Sequence, residues 1–307
     1  MKPLRPALFF IACCCLPTAA PAADLPPIVT PEWLQGQLGS PGLVVVDIRD
    51  EKAYDGGHIP GAVSLPYSRW MVKRDGLSDE LPEPETLASV LGAAGIAPES
   101  RVVTVGKADN IGPEVGRMTR FVFTLAYAGV NTAAVLDGGM NRWEAEKRPL
   151  SKTPVAPQAV RFTPHWNKGL MADRETVARA TDAGLVLCDV RPAGFFEGDK
   201  VKKPEVAKAG HLPGAHSLRA EDLFVKEGST LGLGGYYAFV PAAELESAVR
   251  AALGPNYGRQ TVTYCNTGVL SSLGWFVLNR VLGHDAVRMY DGSLEEWTQN
   301  PDAPVVR

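Results

Sequence analysis

The chain repeats itself. Leu43-Val44-Val45-Val46-Asp47-Ile48-Arg49 is followed by Gly57-His58-Ile59-Pro60-Gly61-Ala62-Val63-Ser64-Leu65, and Leu185-Val186-Leu187-Cys188-Asp189-Val190-Arg191 by Gly210-His211-Leu212-Pro213-Gly214-Ala215-His216-Ser217-Leu218. Further on, Val135-Leu136-Asp137-Gly138-Gly139 with Trp143 answers Met289-Tyr290-Asp291-Gly292-Ser293 with Trp297. The period is far longer than that of a solenoid, so both halves must adopt one fold. Each half alternates apolar runs ending in a polar turn with helical stretches such as Pro84–Leu91 and Glu244–Leu253. Strands alternating with helices predict an α/β fold with two similar domains, each an open parallel sheet with helices on both faces. The predicted boundaries are 24–150 and 161–307, joined by a linker at 151–160 that holds Pro154 and Pro157.

In an open parallel sheet, ligands bind beyond the carboxyl ends of the strands. One cysteine stands at such an end. Cys265 closes the apolar run Thr261–Tyr264 and opens the loop Asn266-Thr267-Gly268-Val269-Leu270, which feeds a helical stretch, Ser271–Leu282, that stops at Gly283. A thiol there faces unpaired backbone N–H groups and the positive end of a helix dipole, which favour thiolate over thiol. The competing reading is a small, buried core residue. Aligning Val102–Val105 with Thr261–Tyr264 puts Gly106 opposite Cys265, so the first half offers the scaffold without the nucleophile. Its own helical stretch is predicted over Pro113–Ala128, with Gly129 after it.

A net charge of −3 and a pI near 6.0 give no basic field to recruit nucleic acid or an anionic membrane. Lys2 and Arg5, the apolar run Ala7–Leu16, and small residues up to Ala23 read as a secretory signal over 1–23, cleaved after Ala22 or Ala23, which implies a periplasmic or secreted product. Lipidation at Cys13, Cys14 or Cys15 is the alternative reading of the same leader. Its removal leaves Cys188 and Cys265, too few for a disulfide framework, and without a Cys-x-x-Cys pair no zinc site is expected. Cys188 ends an apolar run and reads as an inert buried thiol; a Cys188–Cys265 disulfide stays open.

These phrases together resemble the rhodanese superfamily, in its tandem-domain form with a silent first domain and a catalytic second one. The matching residues are Asp47-Ile48-Arg49 and Asp189-Val190-Arg191, the two Gly-His-x-Pro-Gly-Ala segments, Cys265-Asn266-Thr267-Gly268, and Tyr290-Asp291-Gly292-Ser293 with Glu296-Trp297. The resemblance implies a thiosulfate sulfurtransferase. Cys265 would take the outer sulfur of a small anionic donor as a persulfide and pass it to a thiol or cyanide acceptor, with no metal or organic cofactor. It makes Asn266, Thr267, Gly268, Val269 and Leu270 the substrate cradle, with Asp189 and Arg191 as further substrate-side candidates. A strand-end Asp/Arg pair equally fixes its own turn. Mercaptopyruvate as donor and a non-catalytic persulfide carrier are the alternatives. Two departures stand out: the loop carries no Arg or Lys, and Phe195 occupies the position where many tandem members place a substrate-binding arginine.

Positive charge must then come from elsewhere, and Lys200, Lys202, Lys203 and Lys208 lie between the two phrases that frame the second-domain site. They read either as a solvated loop or as the missing cation. His58 and His211, set among Pro and Gly, read as scaffold rather than as bases. Gly232-Leu233-Gly234-Gly235 lacks the following Lys-Ser or Lys-Thr of a phosphate loop. A phosphatase needs an arginine six residues after its cysteine to clamp phosphate, and position 271 is Ser.

Overall fold

The computed structural model describes residues 25–228 and 235–307. The predicted leader and most of the Gly232–Gly235 segment lie outside the described residues. The first domain places β1 (Ile28–Val29), β2 (Leu43–Asp47), β3 (Val63–Ser64), β6 (Arg101–Val105) and β7 (Ala133–Leu136) in a parallel sheet of order β1-β7-β6-β2-β3, with β4 (Val72–Arg74) and β5 (Leu77–Glu80) as a separate antiparallel hairpin. The second repeats the plan with β8 (Met171–Ala172), β9 (Val186–Asp189), β10 (His216–Ser217), β13 (Thr261–Tyr264) and β14 (Val287–Tyr290), ordered β8-β14-β13-β9-β10, and with β11 (Phe224–Glu227) and β12 (Tyr236–Phe239) as its hairpin. The two sheets share one strand order.

Central strands are buried on both faces, as a covered parallel sheet requires: β7 and β13 are buried at every position. The repeated phrases do repeated work. His58 stacks on Tyr54 and its main chain bridges to Ser151; His211 stacks on Phe196 and bridges to Val306. Trp143 donates to the Pro149 carbonyl and Trp297 to that of Pro304, each at 2.9 Å. In both halves a histidine and a tryptophan clasp the segment that leaves the domain, which is the scaffold role expected of the histidines.

The connection is longer than the proline count suggests, and it is strapped down. Val160 N–H donates to Gly92, His165 to Ala128 and Asn167 to Tyr127, so the extended chain continues across the first domain to Asn167. A Cβ on Gly92 would lie 2.5 Å from the Val160 carbonyl oxygen, so only glycine admits this approach.

The helices after β6 and β13 start differently from expectation. The first runs as a π-helical turn, Ile111–Val115, into an α-helix, Gly116–Ala128. The second starts at Val269, two residues before the predicted start, as α-helix Val269–Trp275, and finishes as π-helix Phe276–Val281. Val269 and Leu270 are therefore the first helical turn rather than loop. These helices pack against each other across the domain boundary: a Cβ on Gly116 would lie 2.9 Å from Val269 Cγ1, Thr119 Oγ1 is 3.0 Å from Ser272 Oγ, and Phe123 meets Trp275 edge-on at 5.0 Å. One apolar core runs through both domains at this seam.

Each domain also lays its hairpin on the carboxyl end of the other's sheet. From the first domain, Ser78 donates through backbone N–H and hydroxyl to Glu295, both at 2.9 Å, and Asp79 accepts from Thr267 at 3.1 Å. From the second, Tyr237 N–H donates to the Ala108 carbonyl at 2.7 Å and Phe239 N–H to Asp137 at 2.9 Å.

Candidate active site

Cys265 leaves β13 at its carboxyl end, as predicted, and is 2% exposed. Its carbonyl accepts from Leu294 N–H and its N–H donates to Ser293 Oγ at 3.1 Å. That hydroxyl also donates to the Tyr290 carbonyl at 2.9 Å and sits 4.0 Å from Cys265 Sγ. Ser293 holds a left-handed φ of +50°, uncommon for serine, so the chain bends against its preference to put this hydroxyl behind the thiol.

The loop is shaped by Gly268, at φ +86°, where a Cβ would lie 2.5 Å from Asp291 Oδ1. Among the described residues no protein acceptor takes the N–H of Asn266, Thr267 or Gly268, and the first helical N–H groups that follow are free by position. Ser271 and Ser272 turn their hydroxyls back onto the Gly268 and Val269 carbonyls, at 2.5 and 2.6 Å. The loop therefore presents donors and covers acceptors, the polarity an anionic persulfide needs.

Asp189 and Arg191 are not at the cavity wall. Arg191, 1% exposed, holds Asp189 through paired contacts of 2.6 to 3.1 Å, donates to the Gly210 carbonyl at 2.7 Å, and reaches Asn266 Oδ1 at 3.3 Å. Arg49 holds Asp47 and the Gly57 carbonyl in the same way in the first domain, where there is no nucleophile. The shared geometry is that of a turn lock, which in the second domain also steadies the side chain of Asn266.

Cys265, Asn266, Thr267, Val269 and Leu270 line a cavity of about 580 Å³ between the domains. Phe195 and Pro192 stand on one side, and Ile111 and Pro113 of the first domain on another. Tyr237 also lines it. Its charged groups are Lys202, Arg117 and Asp79. Of the lysine run, only Lys202 lines the cavity, its Nζ 3.4 Å from Thr267 Oγ1 and 3.9 Å from Glu205. Lys200 packs its stem over Gly194, Lys203 is exposed, and Lys208 donates to the Pro301 and Ala303 carbonyls. Of the four lysines, one remains as a cation at the cavity.

Asp79 and Arg117 were missed because they belong to the other domain. Asp79, at φ +57°, spans Tyr67 Oη at 3.0 Å and Thr267 Oγ1 at 3.1 Å. Burial first, and the Asp79 charge next, push the Tyr67 phenol far up, so it stays a donor. Behind the hairpin, fully buried Arg120 pairs with Asp291 at 2.6 Å and donates to the Asp79 carbonyl at 3.1 Å. Arg117 lies near Glu114 at 3.3 Å and over the Tyr67 ring at 4.6 Å.

Both thiols are free. In the sheet Cys188 pairs with Thr263, which places it two residues short of Cys265 along the neighbouring strand, a Cα separation of roughly 8 Å and beyond disulfide reach. Burial raises the Cys188 thiol strongly, which keeps it protonated and inert.

The model of the rhodanese-like domain matches twice, at residues 30–146 and 173–300. The chain is 32% identical over 288 residues to the thiosulfate sulfurtransferase of Corynebacterium glutamicum, covering 91% of this chain and 89% of that one. It is 31% identical to the thiosulfate sulfurtransferase of Azotobacter vinelandii, over 92% and 98% of the two chains. It is 29% identical to the sulfur carrier protein TtuD of Thermus thermophilus, over 91% and 96%. In fold it is similar to the 3-mercaptopyruvate sulfurtransferase SseA of Escherichia coli, with a TM-score of 0.72, 22% identity, and 87% and 98% of the chains covered.

Proposed function

The chain belongs to the rhodanese family, and on that premise we propose that it moves sulfane sulfur from thiosulfate to a thiophilic acceptor through a persulfide on Cys265. The observation that carries this reading is the Cys265 thiol at the floor of the interdomain cavity, ringed by loop N–H groups without protein acceptors. The Cys265 thiolate attacks the outer sulfur of thiosulfate. A new S–S bond forms, the donor's own S–S bond breaks, and sulfite leaves with the electron pair. An acceptor then takes the outer sulfur and returns the thiolate.

The loop donors stabilise the charge on the bound persulfide, and Lys202 adds a cation from the cavity wall, its Nζ at Thr267 Oγ1. Low exposure of Cys265 keeps water and stray oxidants from the reactive sulfur. Intact mass after thiosulfate treatment should rise by one sulfur atom, and sulfite should appear in equal amount. No mass change on Cys265 would overturn the proposal.

Similarity to the sulfur carrier TtuD favours a second reading, in which the persulfide is held for a partner and turns over slowly with small acceptors. Many turnovers per Cys265 with thiosulfate and cyanide support the enzyme; a single stoichiometric transfer supports the carrier. The leader with Lys2, Arg5 and its short apolar run supports an extracytoplasmic location, checked by N-terminal sequencing for a mature end at Ala23 or Asp24.

A further inference from the structure

Asp79 of the first-domain hairpin lines the Cys265 cavity, and the next residue, Glu80, lines a second cavity of about 530 Å³ that includes no part of the catalytic loop. Three pieces of chain build it: the hairpin with Arg74 and Glu80, the connector with Trp166 and Lys168, and the second domain with Tyr290 and Glu296. Its walls carry the carboxylates of Glu80, Glu83, Asp173, Asp291 and Glu296 against only two cations, Arg74 and Lys168. Arg74 is taken up by Glu80 at 3.4 Å and Glu83 at 2.9 Å, and Asp291 by Arg120; Glu296 enters no ion pair among the described residues. Burial and the Asp291 charge raise the Glu80 carboxyl to about 7 in spite of Arg74 and Arg120, so this wall is short of positive charge.

A second observation points to a ligand. Tyr290 lines the same cavity, is 1% exposed, and its phenol oxygen has no hydrogen-bond partner. A buried hydroxyl left unpaired is costly, so this one calls for a partner that the chain does not supply. Tyr127 and Trp166 add an aromatic wall, their rings 5.4 Å apart and tilted by 43°. The faces of such rings attract cations. A metal ion fits poorly, because among the described residues no three acids, histidines or cysteines gather as its ligands would.

From this arrangement we infer that the second cavity binds a small organic ammonium ion with an aromatic body. The ammonium N–H groups donate to the Glu296 carboxylate and the Tyr290 phenol oxygen, and the body lies against Trp166 and Tyr127. A volume of about 530 Å³ is of the size that takes such molecules. The site goes beyond the persulfide reading and stands whether or not Cys265 carries sulfur. It is nevertheless joined to the catalytic loop, since Asp291 at its wall also stands against Gly268.

The test is isothermal titration calorimetry on the full chain with 2-phenylethylammonium. Two analogues accompany it: 2-phenylethanol, which lacks the charge, and methylammonium, which lacks the body. The aromatic ammonium should bind at least about tenfold more tightly than either, the size of one charge-assisted hydrogen bond or one cation–aromatic contact. Tyr290→Phe and Glu296→Gln should each cut its advantage over 2-phenylethanol several-fold and leave the affinity for the alcohol unchanged. Trp166→Leu should weaken both phenyl ligands. Phe195→Ser, at the Cys265 cavity, should weaken neither. Urea titration checks that each variant folds, and if one of Tyr290→Phe and Glu296→Gln does not, the other carries the test. Equal affinity for the ammonium and the alcohol, no saturable heat, or an affinity that neither Tyr290→Phe nor Glu296→Gln lowers overturns the site. An affinity lost in Phe195→Ser alone overturns it too, since the ligand then sits over Cys265.

Discussion

The junction after β6 and the junction after β13 are built alike and end differently. In each, the residue leaving the strand accepts a backbone hydrogen bond through its carbonyl: Gly106 from Met140 at 2.9 Å, Cys265 from Leu294 at 3.2 Å. Each is covered by the other domain's hairpin. At Cys265 there is open volume above the sulfur. At Gly106 a Cβ would lie 2.9 Å from Met118 Cγ, so a core side chain fills the space a thiol needs. The neighbouring first-domain cavity, about 500 Å³, has Gly106 at its wall but no cysteine. The fold alone supplies the position. Chemistry needs the thiol, the space above it and free loop donors together.

The largest effect tests the thiol. Cys265→Ser should remove at least about 10⁴ of the turnover, since a neutral hydroxyl is a far weaker nucleophile than a thiolate, and thiosulfate should leave its mass unchanged. The reverse graft, Gly106→Cys in that background, should restore nothing, because Met118 blocks the site. Sulfite release by the graft would break the comparison, showing that position alone suffices.

The next effect concerns the seam. Arg120→Met leaves Asp291 without its partner across the domain boundary and removes the bond to Asp79, so unfolding free energy should drop by about 3–5 kcal/mol, read by urea titration. A chain beginning at Phe162 loses this pair, the Phe123–Trp275 contact and the hairpin over Thr267 together. It should aggregate or retain little turnover. Full activity in that fragment would show that the first domain is dispensable.

A smaller effect is expected at the cation. Lys202→Gln should raise KM for thiosulfate several-fold and flatten its dependence on salt, because a cation beside the loop steers and holds an anion. Lys203→Gln should leave both unchanged, since its side chain points to solvent. Equal behaviour of the two variants would return the lysine run to a solvated loop.

These contrasts mark how far the sequence could be read. Duplication, parallel strands and the strand-end position of Cys265 follow from local periodicity and repeated phrases, which short-range physics determines. Asp79 and Arg117 carry no such signal. Ser78 and Asp79 lie outside every predicted element, and Arg117 is one more charge on the predicted helical stretch, until a second domain is laid against them. Glycine at 268 hinted at a turn, but only the carboxylate of Asp291 beside it explains why no side chain fits. Lys202 was within the predicted run, yet nothing in the sequence separates it from Lys200 or Lys203. That choice depends on which lysine the chain turns toward Thr267.

The smallest effect belongs to the first-domain hairpin that lies over the Cys265 loop. Glu80, next to Asp79, faces Arg74 at 3.4 Å, with Arg120, Asp291 and Glu296 also acting on it. Burial first, then the Asp291 charge, raise its carboxyl from 4.5 to about 7, and the two arginines oppose them. A raised value means the folded chain holds this proton more tightly than the unfolded chain. Stability from Glu80 is therefore full below about pH 4.5 and falls as pH climbs through about 7. Glu80→Gln keeps a neutral side chain at every pH, so it should match the parent near pH 5 and melt a few degrees higher at pH 8, about 2–4 °C for each kcal/mol in a chain of this size. Melting curves with the same pH slope in parent and variant would show that the buried carboxyl is ionised throughout, and that Arg74 and Arg120 outweigh burial at this hairpin.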